Sequence, residues 1–355
     1  MGISIDNIKI KPKPDFNRLV KVLRREGKPD RVPFYEIFSN IHEKVAGHII
    51  KKKDCKDEQD YNFKLLAYYN QHLGYDYLEH HSPYSLPSAE RGKGAENNIA
   101  FVQGGGSLVG TWEEYEKYPW PKYETFDWKK FERIKDYIPE GMKCIPLLPG
   151  GVEENVILNI MGYEKLCMAL YEDPKLVKQV FDNVGACLEN IFKNYVSYDF
   201  VGAVIINDDL GFKTQTMLPP AAIREYIFPW YRKLVKIAHD AGRPVILHSC
   251  GNLKEIYEDI IDIGIDAKHS YENVILPVWE FRKIYGNRIA SLGGFDVDKI
   301  CRDQKEEIIK HTRFLIDNCA GNGGYAIGTG NSVANYVNVE NFLTMLEEAY
   351  LYSSR

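Results

Sequence analysis

Short apolar runs alternate with longer amphipathic stretches along almost the whole chain. The clearest run is Val245-Ile246-Leu247, three consecutive aliphatic residues of the kind that parallel sheets bury on both faces. Similar runs of β-type residues recur at 32–38, 75–81, 144–151, 201–207, 267–271, 289–296 and 325–331. Helical patterns fill the spaces between them. Residues 14–25 carry Leu19, Val22 and Leu23 as one apolar stripe. Further helices are predicted at 42–50, 60–73, 163–171 and 174–198, the last behind a capping Asp173. Another covers 220–241, with Pro220 in its first turn, and others lie at 277–285, 304–318 and 339–352. Eight strand–helix units in one chain, with no linker between them, close most naturally into a (β/α)8 TIM barrel of the α/β class. The expected organisation is one domain over 1–355. Residues 1–30 form an N-terminal helical extension, and 95–138 an insertion over the barrel mouth. That insertion holds a hairpin at 97–110 and short helices at 112–137. An open doubly wound sheet is the alternative. It calls for a Gly-rich phosphate turn, and Gly104-Gly105-Gly106 lacks the G-x-G-x-x-G spacing.

Composition narrows the class. A chain of 355 residues with 45% hydrophobic residues can bury a large core. Its net charge of −5 and pI near 6.0 argue against nucleic acid or an anionic membrane as a partner. No apolar run is long enough to span a bilayer, and the first residues lack a signal-peptide pattern. The seven cysteines are scattered without a C-x-x-C, which suggests neither a disulfide framework nor a closed structural zinc site. A soluble cytoplasmic protein is expected. The 24 Tyr and 16 Phe suit a roomy aromatic pocket.

A barrel builds its active site at the C-terminal ends of its strands. This chain places Glu36, His80, His81, Glu153, Asp208, Asp209, His248, Cys250, His269, Asp296, Thr329 and Asn331 there. Each has a plain structural reading: a helix cap for Asp208, Asp209 or Asp296, a hydrogen-bonded core imidazole for His269. Together, at so many strand ends, they point to chemistry. His248 and Cys250 stand two residues apart on a strand, so imidazole and thiol face the same side and make half of a zinc site. His80 and His81 face opposite sides, so at most one looks into the mouth. Asp209 shares parity with Asn207 and is expected to point inward. Gly251 turns the chain, and Asn252 is expected to cap a helix beginning near Leu253.

Several motifs occur in order: Asn207-Asp-Asp-Leu-Gly211, Pro219, Phe228-Pro229, Pro244-Val-Ile-Leu-His-Ser-Cys-Gly-Asn252, Gly264-Ile-Asp266, Tyr285-Gly-Asn-Arg-Ile289, Gly293-Gly-Phe-Asp296 and Val339-Glu-Asn341. This pattern resembles the uroporphyrinogen decarboxylase superfamily from about Arg31 onward. The resemblance implies a (β/α)8 barrel and two functional branches. One decarboxylates uroporphyrinogen III without a cofactor. The other contains zinc-dependent methyltransferases that work with a methylated corrinoid protein. Decarboxylases carry an Arg-rich segment after the first strand, whereas this chain reads Tyr35-Glu-Ile-Phe-Ser-Asn40, with no cation for a polycarboxylate. His248-Ser-Cys250 resembles the H-x-C zinc motif of the methyltransferases. Their further Cys at the last strand is replaced here by Gly328-Thr-Gly-Asn331. A third ligand must come from Glu36, the 208–209 pair or His269.

The resemblance therefore implies a zinc-dependent methyltransferase that moves a methyl group between a small thiol, ether or amine and a corrinoid protein. His248 and Cys250 are its metal ligands. Asp209, Asp208, Glu36 and Asn331 are its candidate catalytic residues, and His80, Glu153, His269 and Asp296 its candidate substrate-binding residues. No D-x-H-x-x-G loop occurs, so the corrinoid is supplied by the partner. A homodimer is left open. The alternatives are a cofactor-free decarboxylase and a non-catalytic barrel subunit of a corrinoid system.

Overall fold

The structure, a computed structural model, describes residues 3–88 and 107–354. Seven parallel strands form one curled sheet in chain order. They are β1 (Tyr77–His81), β2 (Lys143–Leu147), β3 (Val204–Asn207), β4 (Val245–His248), β5 (Ala267–His269), β6 (Ala290–Leu292) and β7 (Tyr325–Ala326). Sequential parallel order follows from helices crossing over between successive strands. All four residues of β4 are buried, as expected for a strand covered on both faces. The register pairs Asn207 with His248 and His248 with His269. The two imidazoles therefore stand level, on neighbouring strands and on the same face.

The first expected strand, 32–38, does not join the sheet as a full strand. It and the residue after it run beside the chain that leaves β7 through two isolated parallel bridges, Phe34 to Ile327 and Ser39 to Val333. Pro33 lacks an N–H, and its carbonyl instead accepts from Ile327 N at 3.0 Å. On the other side the Tyr77 hydroxyl, rather than a backbone ladder, meets Glu36. It accepts from Glu36 N at 2.8 Å and donates to the Glu36 carbonyl.

The helix Phe16–Leu23 begins at Asp15, whose side chain accepts from Asn17 N at 3.0 Å. Phe16 N donates to Gly141 O at 2.8 Å, and the Phe16 ring lies where a Cβ on residue 202 would stand. Residues 141 and 202 lead into β2 and β3, so this helix covers the end of the sheet opposite the strand tips. The helix Pro174–Ser197 starts behind Asp173 as expected, with the Asp173 carboxylate accepting from Leu176 N at 3.1 Å.

Most of the expected hairpin at 97–110 lies outside the described residues. The short helices after it are present at Trp112–Lys117, Tyr123–Thr125, Lys129–Glu132 and Arg133–Tyr137. They pack along the helix Pro174–Ser197. Trp112 Nε1 donates to Asp173 at 2.9 Å, Asn183 donates to the Tyr115 hydroxyl at 2.6 Å, and Phe131 stacks on Tyr195. The aromatic content of this segment is spent on that packing. Among the described residues no helix is long and apolar enough to cross a membrane.

Candidate metal centre

β4 ends in His248, 8% exposed, at the tip of the sheet. Its Nδ1 lies 2.7 Å from Nδ1 of His269 on β5. The His269 Nε2 lies 3.3 Å from the Thr329 carbonyl. That carbonyl can only accept, so His269 carries its proton on Nε2 and accepts at Nδ1. His248 must then donate from Nδ1, which leaves its Nε2 with a free lone pair. Burial holds both rings neutral: it pushes His248 down to about 4 and His269 well below its usual range, helped by His248 itself. The pair thus presents one oriented imidazole nitrogen, its ring fixed by donation from the other nitrogen to a buried acceptor, as a metal-binding histidine requires.

Cys250 Sγ lies 3.6 Å from that Nε2. Asp209, in the turn after β3, accepts from Cys250 N at 2.8 Å, and its Oδ1 lies 3.8 Å from His248 Nε2. One ligand atom each from Asp209, His248 and Cys250 falls within 4.8 Å of the others. Around a tetrahedral zinc, with bonds of about 2.0 Å to nitrogen and about 2.3 Å to sulfur, two such donors stand roughly 3.5 Å apart. The three donors therefore fit a zinc ion. Cys250 and Asp209 are partly exposed, so the donor set can be reached from solvent. Burial, and then Asp209, push the Cys250 thiol up from its usual value. A metal binding here displaces a proton from sulfur. Asn331, in the loop after β7, donates from its Nδ2 to Cys250 Sγ at 3.2 Å.

Close backbone contact builds this corner. Gly251 has φ +80°, and a Cβ there would lie 2.2 Å from Gly211 C, so the turns after β3 and β4 touch directly. Asp208, beside Asp209, is wholly buried and faces away from the metal donors. It accepts from Glu153 N at 2.9 Å, Glu154 N at 2.8 Å and the Tyr231 hydroxyl at 2.9 Å. It anchors the short helix Val152–Glu154, and burial pushes it up to about 6. Gly151 is required there, because a Cβ would lie 2.0 Å from the Asp208 carboxyl carbon.

Residues 155–352, more than half of the chain, match the uroporphyrinogen decarboxylase (URO-D) family. The chain belongs to the URO-D family. A methylated-thiol–coenzyme M methyltransferase from Methanosarcina mazei is 30% identical over 198 residues, 56% of this chain and 50% of that protein. The match thus spans about half the length of that curated relative. A solved methyltransferase from Methanosarcina mazei superposes with a TM-score of 0.70 at 17% identity, covering 94% of this chain and 98% of that one. That likeness is one of fold.

Other expected residues of this URO-D chain fall elsewhere. Glu36 is not free to be the third ligand. Its Oε1 accepts from Thr329 N at 2.7 Å and its Oε2 meets the Thr329 hydroxyl. Burial pushes it up to about 8. His269 supports His248 and is fully buried, out of a substrate's reach. His80 lies between Phe63 at 5.3 Å and Phe131 at 5.1 Å, where burial pushes it down to about 4. It belongs to the helix layer. His81 is the exposed one of the two and sits beside Phe38. Asp296 caps the helix Val297–Arg302, accepting from Asp298 N at 2.9 Å. Glu153 is wholly buried, with no partner for either carboxylate oxygen among the described residues, and burial pushes it well up. Asn252 does not cap a helix at Leu253. It accepts from Lys254 N at 3.1 Å in a turn, and the helix starts at Tyr257.

Sequence reading missed Ser249, Lys268 and Ser270. Ser249 Oγ accepts from Leu210 N at 3.1 Å, and its N–H donates to His269 O at 2.8 Å. Ser270 Oγ lies 3.7 Å from Cys250 Sγ. A lysine inside the short strand Ala267–His269 was the one available signal.

Proposed function

We propose that this chain is a zinc-dependent methyltransferase that moves a methyl group between a small thiol, ether or amine and a corrinoid held by a partner protein. The observation that carries the reading is the convergence of Asp209, His248 and Cys250 at the strand tips, with Asp209 and Cys250 partly exposed. In this reading those three residues hold the zinc, and Asp209 replaces the last-strand Cys as third ligand. Bound zinc would lower the pKa of a thiol at the open position and keep it as a thiolate at neutral pH.

The protein's own groups prepare that position. His269 and the Thr329 carbonyl fix the His248 tautomer. The Asn331 amide donates to Cys250 sulfur and spreads its charge once the proton has left. Asp209 ties its own turn to the Cys250 backbone, so two donors move as one unit. In the thiol-methylating direction, the sulfur lone pair forms the S–CH3 bond. The carbon–cobalt bond of the methylated corrinoid substrate breaks, and its electron pair stays on cobalt.

The same proposal includes closure of the seven strands and the 32–38 segment into a (β/α)8 barrel within one domain, and a cytoplasmic location. The two isolated bridges to the chain leaving β7 support the closure. The seven unpaired cysteines support a reducing compartment. A decarboxylase reading has less support, because the segment that would bind a polycarboxylate contributes the buried Glu36 instead of cations. Incubation of the zinc-loaded protein with free methylcobalamin and a panel of small thiols tests the reading. Protein-dependent loss of the methyl–cobalt absorbance is expected. Absence of that loss with every thiol, together with absence of methyl–cobalt formation from methyl ethers and methylamines when a corrinoid protein reduced to Co(I) is supplied, contradicts it.

A further inference from the structure

Lys268 is 1% exposed on β5, one residue before His269. A buried ammonium costs several kcal/mol unless its donors are satisfied, and it is usually paired with a carboxylate. Here the partners are carbonyls. Lys268 Nζ donates to Ser249 O at 3.4 Å and to Ser270 O, and it stands 4.5 Å from the Tyr271 ring centroid. No carboxylate pairs directly with it among the described residues, although Asp209, Glu272 and Cys250 are the groups whose charge it senses.

The two carbonyls belong to the two turns that matter. Ser249 O is the acceptor of the peptide that enters Cys250. Ser270 carries the hydroxyl beside Cys250 Sγ. The polar groups of the Ser249–Gly251 turn are fixed from three directions. Ser249 O is held by Lys268, Cys250 N by Asp209 at 2.8 Å, and Gly251 N by Glu272 at 3.1 Å. Removing the lysine releases the carbonyl side of the peptide that aims the thiol and leaves that peptide held through the Asp209 bond to its N–H alone, while Asp209 and His248 keep their own supports. The cation also stands behind two ligands that are anionic when they hold a metal.

We infer that Lys268 is a positioning residue of the metal centre: its ammonium clamps the turns after β4 and β5, so that Cys250 sulfur meets the metal together with His248 and Asp209. The inference rests on the metal reading above, and it assigns no contact with substrate.

The test compares wild type, K268M and K268Q as purified full-length chains. Zinc affinity is measured by competition with a chromophoric chelator, and the thiolate-to-metal charge-transfer band is read with Co(II) in place of zinc. Met fills the volume of the lysine stem without its charge, and replacing a buried charge by an apolar side chain is often tolerated. Gln keeps donors for one carbonyl, so it guards against a K268M chain that does not fold. Loss of a group that orients a metal ligand costs about 10- to 100-fold in affinity. The expected result is a loss of that size in K268M with a weakened Co(II)–thiolate band, and a smaller loss in K268Q. Wild-type affinity and an unchanged band in folded K268M overturn the inference alone. A wild-type protein that binds no zinc overturns the metal reading first and the inference with it.

Discussion

Replacement of Glu36 by Gln should change how stability depends on pH. The Thr329 hydroxyl lies within bonding reach of Glu36 Oε2 and 2.6 Å from the Asn331 carbonyl. It has one proton. A carbonyl can only accept, so when Thr329 serves Asn331 O, Glu36 must itself donate to the hydroxyl and is therefore protonated. Burial favours that state and pushes Glu36 from 4.5 to about 8. Between these values the folded chain keeps a proton that the unfolded chain has released. The stabilisation is fully present below about pH 4.5 and is lost as pH rises through about 8. Within that window wild-type stability falls by about 1.4 kcal/mol per pH unit from this group alone. Gln copies the protonated pattern, since its oxygen accepts from Thr329 N and its amide donates to the hydroxyl, and it does not titrate. E36Q should therefore gain about 2 kcal/mol on wild type between about pH 6 and pH 8. Urea unfolding midpoints for both proteins across that range, followed by far-UV circular dichroism, provide the assay. A difference that stays flat with pH, or a wild type that gains on E36Q as pH rises, refutes the reasoning.

The neighbouring aspartates should separate. D209N keeps the acceptor for Cys250 N but loses the charge at the metal, so activity should fall about 10²-fold or more with little change in melting temperature. D208N should act on stability instead, because a buried carboxylate that accepts from two N–H groups and a tyrosine is replaced by a group with one accepting oxygen. A loss of about 1 to 3 kcal/mol is expected, with metal affinity near wild type. Zinc loss in D208N and none in D209N would reverse the assignment. Uroporphyrinogen III should not be converted to coproporphyrinogen, since Glu36 stands where cations are needed; turnover at ordinary enzyme rates would remove the methyltransferase reading.

The sequence carried the H-x-C pair because strand parity alone puts residues 248 and 250 on one side. Parity also placed Asp209 rather than Asp208 toward the metal donors. It could not show that Asp208 anchors the turn at 152–154, since that contact spans 55 residues of sequence. The first strand looked regular by composition, yet Pro33 and the Tyr77 hydroxyl leave it outside the ladder. His80 and Asp296 sat at strand ends in sequence, but neighbouring rings and a helix start claim them. Lys268 is marked locally only as a lysine in a three-residue strand. Its role needs carbonyls from two separate turns, which no local pattern reveals.

The most direct test of the account is the metal content of the protein itself. Wild-type chain purified from zinc-replete cells without chelator, and C250A prepared in parallel, are analysed by plasma mass spectrometry beside their melting curves. The account predicts about one zinc per wild-type chain, and little zinc in a folded C250A whose melting temperature is close to that of the metal-free wild type. Full zinc occupancy in C250A, or a folded wild type that neither carries zinc nor takes it up, would contradict it.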